Sequence, residues 1–381
     1  MRLPVSGCRE NRDGGLNMMN QTADCDRMIY FWLASLVELG IVSLEKAALW
    51  CGGYENFFKA SPEILGQSHL FGGENLKKIV AHRDISLLED EYNRLCNRNI
   101  FFIARCDDAF PQKLKLLPNC PFGLFVTGRL PDPDRPSIAI VGARAASAYG
   151  QEIARAFARE LSAVGVQIIS GLAAGIDGCA HKGALDAGFP TYGILGCGVN
   201  ICYPRENIRL FEEMKRCGGI LSEFPVGARP LSWHFPYRNR LIAALADGVL
   251  VVEARKKSGS LITADMAVDM GKDVFAVPGR IGDAVSEGCN SLIGQGAKLV
   301  LSAADIVEEC HFQVRADENK KIGLANLEDL VYSSLCLEPE SIETVAAAAG
   351  LSFQETAHVL QKLEIRGLVR QAAKNQYIIR L

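Results

Sequence analysis

Metal-binding and disulfide motifs are missing from this sequence, although its 381 residues include 13 cysteines. No two cysteines form a C-x-x-C pair, and no histidine stands at zinc-ligand spacing from the closest two, Cys197 and Cys202. Structural zinc sites and dithiol redox motifs require such spacings. Scattered cysteines with apolar neighbours are typical of free thiols in a reducing cytosol. The sequence therefore predicts a cytoplasmic protein that uses neither a metal nor a cofactor.

A membrane-spanning run is missing as well. The apolar stretch 28–37 is too short to cross a bilayer, and Glu38 ends it. The first residues lack the apolar core of a signal peptide. We expect 1–25 to be a disordered lead, with Met18 or Met19 as an alternative start, and the protein to be soluble and without a membrane partner.

An overall positive charge is also missing, because the net charge is −3 and the isoelectric point is about 6.1. Any nucleic-acid site must then be a local positive patch, since steering follows the local field. The phosphate-binding motif G-x-x-x-x-G-K-[ST] does not occur, because Gly271-Lys272 is followed by Asp273. The sequence gives no support for nucleotide hydrolysis of the P-loop type.

Composition divides the N-terminal third into two segments. Residues 26–106 have apolar positions at helical spacing and predict a helical module resembling a SAM or helix-hairpin-helix domain. Such a module could bind DNA or could serve as a structural cap or protein contact. Residues 107–136 contain six prolines, which disfavour helix and predict a surface connector.

From residue 137 to 312 short apolar strands alternate with helices. The strands are predicted at 138–141, 167–170, 192–195, 220–223, 249–253, 274–277 and 299–301. Strands that are apolar on both faces and alternate with helices are typical of a parallel sheet covered on both sides, a Rossmann-like α/β fold. Ligands of such sheets bind at the carboxyl ends of the strands.

The C-terminal segment has a different pattern. Residues 313–326 are charged and predict a linker, and 327–381 predict three short helices and a β-hairpin, the pattern of a winged helix. This last segment holds five basic and seven acidic residues. Phosphate contacts supply most of the affinity for DNA, so an acidic winged helix favours a protein partner over DNA.

The turns that follow the first two strands of this fold are rich in small residues. Gly142 allows the backbone to approach a phosphate, and Arg144 supplies a planar fork of donors. The second turn contains Ser170, Gly171 and Gly175, followed on one helix face by the pair Asp177 and His181. No G-x-S-x-G elbow accompanies Ser170, so we expect this pair to shape the pocket by hydrogen bonds rather than to catalyse hydrolysis.

An aromatic and cationic cluster opens a later helix. It comprises Phe235, Arg238, Asn239 and Arg240, and the next turn adds Lys256, Ser258, Gly259 and Ser260. Bases stack on aromatic rings with about 1–3 kcal/mol each, whatever their identity. Because stacking needs unpaired bases, the cluster predicts a single-stranded polynucleotide as ligand.

These blocks resemble the DNA-processing protein A (DprA/Smf) family. The likeness is carried by Val141-Gly142-x-Arg144, Ser170-Gly171-x-Ala173-x-Gly175-Ile176-Asp177, Phe235-Pro236-x-Arg238-Asn239-Arg240 and Ser258-Gly259-Ser260-Leu261-Ile262-Thr263-Ala264. It implies a homodimeric protein that binds single-stranded DNA without turnover, protects incoming strands in natural transformation and loads the RecA recombinase. It also implies that Arg144, Phe235, Arg238 and Arg240 line the groove and that Lys256 lies at its edge. Backbone or hydroxyl contacts to phosphate are implied for Ser170, Gly171, Gly175, Ser258, Gly259 and Ser260.

An enzyme of the same fold superfamily is the alternative. Phosphoribohydrolases that release a base from a nucleotide carry Pro-Gly-Gly-x-Gly-Thr-x-x-Glu where this chain has 257–263, without the glycine doublet or the downstream glutamate. Glu253 precedes this turn, and we expect it to fix the loop rather than to act on a glycosidic bond.

Overall fold

The computed structural model describes residues 18–312, 326–335, 340–365, 368–373 and 375–379. They belong to two compact units, which divide after Val314. The predicted linker 313–326 lies outside the described residues except for Asn326, and so does the predicted lead up to residue 17. None of the described helices is both long and apolar enough to cross a membrane.

A nine-stranded sheet forms the centre of the first unit. Its strands are β1 (Phe101–Ala104), β2 (Gly123–Gly128), β3 (Ser137–Val141), β4 (Gln167–Ser170), β5 (Thr191–Ile194), β6 (Gly219–Ser222), β7 (Gly248–Val251), β8 (Asp273–Ala276) and β9 (Lys298–Leu299). Their order across the sheet is β1-β2-β6-β5-β4-β3-β7-β8-β9. β2 is antiparallel to both of its neighbours, and the other adjacent pairs are parallel. The prediction of a mostly parallel sheet is confirmed.

Helices cover both faces of this sheet because alternate residues of each strand point to opposite sides. Ile138 and Ile140 pack in one core with α8 (Ala148–Ala163), α9 (Ile176–Asp186) and α14 (Ala303–Glu309). Ala139 and Val141 pack in another core with α11 (His234–Leu245) and α12 (Gly259–Asp269). The unit is completed by α10 (Ile208–Cys217), α13 (Glu287–Gly294) and two 3₁₀ turns (Val37–Leu39, Arg205–Asn207).

Six helices precede the sheet: α1 (Met18–Ser35), α2 (Ile41–Trp50), α3 (Tyr54–Lys59), α4 (Pro62–Gln67), α5 (Gly73–Ala81) and α6 (Ile85–Cys96). α1 begins inside the segment predicted as a disordered lead, so that boundary is corrected to Met18. Phe31 of α1 packs against Phe102 of β1 and Phe125 of β2, with ring centroids 5.1 and 6.0 Å away. These helices therefore share one core with the edge of the sheet and are not a separate module.

The prediction of a helix-free connector at 107–136 is wrong. The segment contains α7 (Gln112–Lys115) and β2, which is paired on both sides. Pro121 and Pro131 lie outside the ends of β2, where a proline removes no ladder hydrogen bond from the strand. The segment is thus part of the sheet.

The second unit contains three helices and a small sheet. The helices are α15 (Asn326–Ser333), α16 (Ile342–Ala349) and α17 (Phe353–Ile365), and the strands are β10 (Glu340–Ser341), β11 (Val369–Ala373) and β12 (Gln376–Ile379). The strands are antiparallel in the order β10-β12-β11, and Val345, Leu360 and Leu363 form the centre of the core. The three predicted helices and the hairpin are present, and the winged-helix assignment stays a prediction.

Candidate nucleic-acid interface

A cleft lies where the strand order of the sheet reverses direction. The chain runs outward from β3 to β4, β5 and β6 on one side and from β7 to β8 and β9 on the other. The turns that follow β3 and β7 diverge from each other at this point. Open α/β sheets bind ligands at such a point. The cleft has a volume of about 360 Å³ and is lined by 141–145, Ala173, Asp177, Ser232, Phe235, Pro236, Arg238, Asn239, Ile242, Arg255, 257–260 and Thr263.

Two glycines allow the turns of this cleft to pack closely. A methyl group on Gly142 would come within 2.6 Å of Cγ1 of Ile176 and 2.9 Å of the Glu253 carbonyl oxygen. Gly175 has a φ of 76°, which side chains disfavour, and its Cα faces the backbone of Ala143 and Arg144. Gly142 lines the cleft, whereas Gly175 supports the turn from behind.

Arg144 and Phe235 form the exposed rim. Arg144 is exposed, and its guanidinium carbon lies 5.1 Å from the centroid of the half-buried Phe235 ring, a cation–π contact. The ring of Tyr203 packs on Phe235 with centroids 5.3 Å apart and planes at 35°, and Tyr203 is 41% exposed. Tyr203 was not among the predicted site residues, although its place after β5 puts it at the same carboxyl edge. The rim thus offers a cation held against one of two packed aromatic rings.

Arg238 lines the cleft but is buried, with 3% of its surface exposed. Its Nη1 donates to the carbonyl oxygen of Gly171 at 2.9 Å, and the Asp177 carboxylate accepts from the Gly171 amide at 3.1 Å. Burial lowers the pKa of Arg238 to about 10, although Asp177 opposes this. Burial raises the pKa of Asp177 against the effect of Arg238. The two side chains hold the turn at Gly171 from both sides. The Gly171 amide is thus engaged by Asp177, which corrects its predicted contact with phosphate, and the pocket-shaping role of Asp177 stays a prediction.

Arg240 does not line the cleft, which corrects the prediction from sequence. It is 4% exposed, and Nη1 and Nη2 donate to the two carboxylate oxygens of Glu223 at 2.8 and 2.6 Å. Nη2 also donates to the carbonyl oxygen of Asn119 at 3.2 Å. Since Arg238 and Arg240 are two residues apart on α11, they face different sides of the helix.

Ser170 is not available to a phosphate either. Its side chain has no exposed surface, and Oγ donates to the carbonyl oxygen of Ile140 at 2.5 Å. The hydroxyl therefore ties β4 to β3 inside the sheet. This corrects its predicted role as a direct contact.

The turn after β7 presents a more open wall. Ser258 caps α12, its Oγ lies 2.8 Å from Oγ of Ser260, and Asn239 donates to the carbonyl oxygen of Gly259 at 3.3 Å. A methyl group on Gly259 would meet no atom within 4 Å, so the backbone there faces open space. These residues line the cleft, and their contact with phosphate stays a prediction.

The basic residues of this turn are not those predicted. Lys256 is exposed but does not line the cleft, whereas its neighbours Arg255 and Lys257 do.

His181 and Glu253 act away from the cleft. Thr191 donates its hydroxyl to the Ile168 carbonyl oxygen, so Nδ1 of His181, 2.7 Å from that hydroxyl, is the donor between them. Burial, assisted by the charge of Arg238, lowers the pKa of His181 to about 3. His181 is therefore neutral and outside the lining, which corrects its predicted place in the pocket. Glu253 accepts from the amide and hydroxyl of Ser147 at 2.9 and 2.5 Å, so it fixes the turn after β3 and not the turn at 257–263 that was predicted.

The chemistry of the cleft is cationic rather than acidic. Among the described residues that line it, Asp177 is the only carboxylate, and its oxygen is engaged by backbone amides. Across the described part of the chain no group of three histidine, cysteine or acidic side chains could hold a metal ion. The cleft offers no exposed acid for the glycosidic bond that the phosphoribohydrolase alternative requires.

Fold and cleft together define a Rossmann-like α/β protein with a cationic, ring-lined site at the switch point of its sheet. The chain belongs to the DNA recombination-mediator protein A family, whose model matches residues 101–311. The resemblance seen in the sequence is confirmed. The family description names recombination mediation.

Named relatives agree with this assignment. Protein Smf of Synechocystis is 32% identical, over 91% of this chain and 98% of its own. The DNA processing protein DprA of Streptococcus pneumoniae is 44% identical over 54% of this chain and 73% of its own. The X-ray structure of that protein superposes with a TM-score of 0.64 at 35% identity, over 75% of this chain and 99% of that one. A structure of DNA processing protein A from Helicobacter pylori, described for its single-stranded DNA binding mode, has a TM-score of 0.51 at 30% identity, over 55% and 94% of the chains.

Proposed function

We propose that this protein binds single-stranded DNA in the cleft between the turns of β3 and β7. The observation that carries the proposal is the rim, where the exposed Arg144 lies over Phe235 beside the exposed ring of Tyr203. Arg255 and Lys257 add positive charge on the opposite wall. The relative from Helicobacter pylori, described for this kind of ligand, supports the choice.

A single strand fits this arrangement better than a duplex. Proteins that bind unpaired strands combine a cationic path for the backbone with rings on which bases stack. The rings of the rim are available only to bases that are not stacked in a helix. The open backbone at Gly259 and the hydroxyls of Ser258 and Ser260 would then face phosphate.

The biological role that we infer is protection of incoming single strands and loading of RecA during natural transformation and recombination, without turnover. The family description of recombination mediation supports it. The second unit, as a winged helix, would contact a protein partner, since its exposed helix α17 presents Gln354, Glu355, Gln361 and Lys362 with no excess of positive charge. The direct assay is the rate of RecA filament formation on single-stranded DNA with and without this protein.

We further propose a homodimer that uses the β9 edge of the sheet. β9 is an end strand, and Leu299 and Leu301 are 42% and 75% exposed there. Val268, 62% exposed, lies in the same surface groove as Lys298 of β9. Exposed apolar edges are normally covered. Light scattering should show a dimer for the wild type and a monomer for Leu301→Asp, and a wild-type monomer would refute the proposal.

The test of DNA binding compares matched single- and double-stranded oligonucleotides over a salt series. We expect a clear preference for the single strand, and we expect Arg144→Ala to weaken binding. Each neutralised phosphate contributes about −0.7 to the slope of log K against log salt on single strands. The slope for Arg144→Ala should therefore be shallower by about 0.7 per lost phosphate contact.

Lys46→Ala, a change of an exposed lysine on α2, is the matched control for the loss of one charge. It should leave the slope unchanged. Equal affinity for the two forms of DNA, or equal slopes for Arg144→Ala and the wild type, would refute the proposed site.

A further inference from the structure

A second exposed ring stands at the start of α11. Trp233 is 47% exposed, and it lies between Ser232 and Phe235, both of which line the cleft. Leu231, two residues earlier, is 41% exposed. Adjacent exposed apolar side chains next to a cleft are typical of a binding surface, whereas single ones are common anywhere.

Three other rings hold Trp233 in place from one side. Its ring centroid lies 4.1 Å from that of His234 at an interplanar angle of 80°, 6.2 Å from Phe224 at 80° and 6.2 Å from Tyr237 at 62°. Phe224 and His234 are themselves buried and stacked at 3.9 Å. A ring that is fixed before binding loses little freedom when a base stacks on it.

The loop beside this ring is fixed and carries a cation. The amide of Gly198 donates to the carbonyl oxygen of Ala228 at 3.0 Å, and the amide of Gly227 donates to the Asn200 side chain at 2.8 Å. The exposed Arg229 follows directly, and its backbone lies beside the His234 ring on which Trp233 packs. Through the His234 ring, the backbone of Arg229 and the ring of Trp233 thus lie near each other.

We propose that Trp233 is a second base-stacking position, which takes a base of the strand where it leaves the cleft, with Arg229 close to the adjoining phosphate. Trp233 directly precedes α11, and its neighbour Ser232 lines the cleft, so a strand that leaves the cleft past the start of this helix reaches Trp233. The proposal rests on the proposed function, since it requires a single strand in the cleft.

Intrinsic fluorescence tests this directly. Of the chain's three tryptophans, Trp32 has no exposed surface and Trp50, on α2, is 48% exposed. In a Trp50→Phe background Trp233 is therefore the accessible tryptophan. We expect a 20-residue oligothymidylate to quench its emission on binding and to protect it from acrylamide.

Affinity provides the second readout. Trp233→Leu should weaken binding of the same oligonucleotide by about fivefold to about a hundredfold, the range for loss of one stacked base. Trp233→Phe keeps a ring and should retain most of the affinity, and equal thermal unfolding midpoints would show that both variants are folded. If Trp233→Leu does not fold, the fluorescence of the Trp50→Phe protein decides.

Binding without any change in Trp233 emission or protection, or Trp233→Leu bound as tightly as the wild type, would overturn this inference while the proposed function stands. Absence of binding by the wild type, or indifference to Arg144→Ala, would instead refute the proposed function. The two failures are thus distinguishable in one set of titrations.

Discussion

Replacement of Arg240 by alanine should destabilise the protein far more than replacement of Arg144. The Arg240 guanidinium makes two hydrogen bonds to Glu223, which is 1% exposed, and lies 4.2 Å from the Tyr237 ring centroid. Removal of one partner from a buried ion pair costs about 3–5 kcal/mol, because the other charge is left without compensation. At roughly 2 °C per kcal/mol for a large folded unit, the unfolding midpoint should fall by about 6–10 °C.

Circular dichroism during heating measures this midpoint. Arg144→Ala, which removes an exposed guanidinium, should leave it nearly unchanged and serves as the matched control. Glu223→Leu combined with Arg240→Met replaces both charges with apolar groups and should be less destabilising than the two single changes together. An Arg240→Ala protein with the wild-type midpoint and a DNA affinity as low as that of Arg144→Ala would refute the reasoning and return Arg240 to the groove.

Two further predictions follow from the same contacts. Gly171→Ala should be destabilising by about 1–3 kcal/mol, since its methyl group would lie 2.5 Å from Nη2 of Arg238. The methyl group added by Gly259→Ala meets no atom within 4 Å, so this variant should keep the wild-type stability and lower only the affinity for DNA. Equal unfolding midpoints for Gly171→Ala and Gly259→Ala would contradict this. The pKa of His181 is about 3 in the folded protein, whereas that of an unfolded histidine is about 6.5. Between these two pH values the unfolded chain therefore binds one more proton at this side chain than the folded protein does. The free energy of unfolding should therefore fall as pH drops below about 6.5, by up to about 1.4 kcal/mol per pH unit. His181→Asn should show a shallower fall in unfolding midpoint between pH 6 and 4, and identical slopes would contradict the assignment.

The strands of the central sheet were accessible from sequence because each is apolar on both faces. The prediction for 167–170 matches β4 as observed, and the other six predicted strands overlap their observed counterparts. β2 was missed because the prolines on either side of it, Pro121 and Pro131, marked the segment as a connector, although Phe125 pairs with Ser222 of β6.

The cleft was accessible in outline but not residue by residue. Arg144, Phe235 and the turn at Ser258 line the cleft, and their contact with DNA stays a prediction. Arg240 was misplaced because its burial depends on Glu223, which no pattern in α11 reveals. A guanidinium group that binds phosphate and one that is paired in the core look alike in sequence.

The core that α1–α6 share with β1 and β2 has a consequence for genetics. A chain that loses its first hundred residues would leave Phe102 and Phe125 without the Phe31 ring of α1 that now packs against both. Such a deletion allele should behave as a null through degradation of the whole protein, rather than as a separation of one activity from another. The roles of the N-terminal helices are therefore better dissected by single exposed substitutions than by truncation.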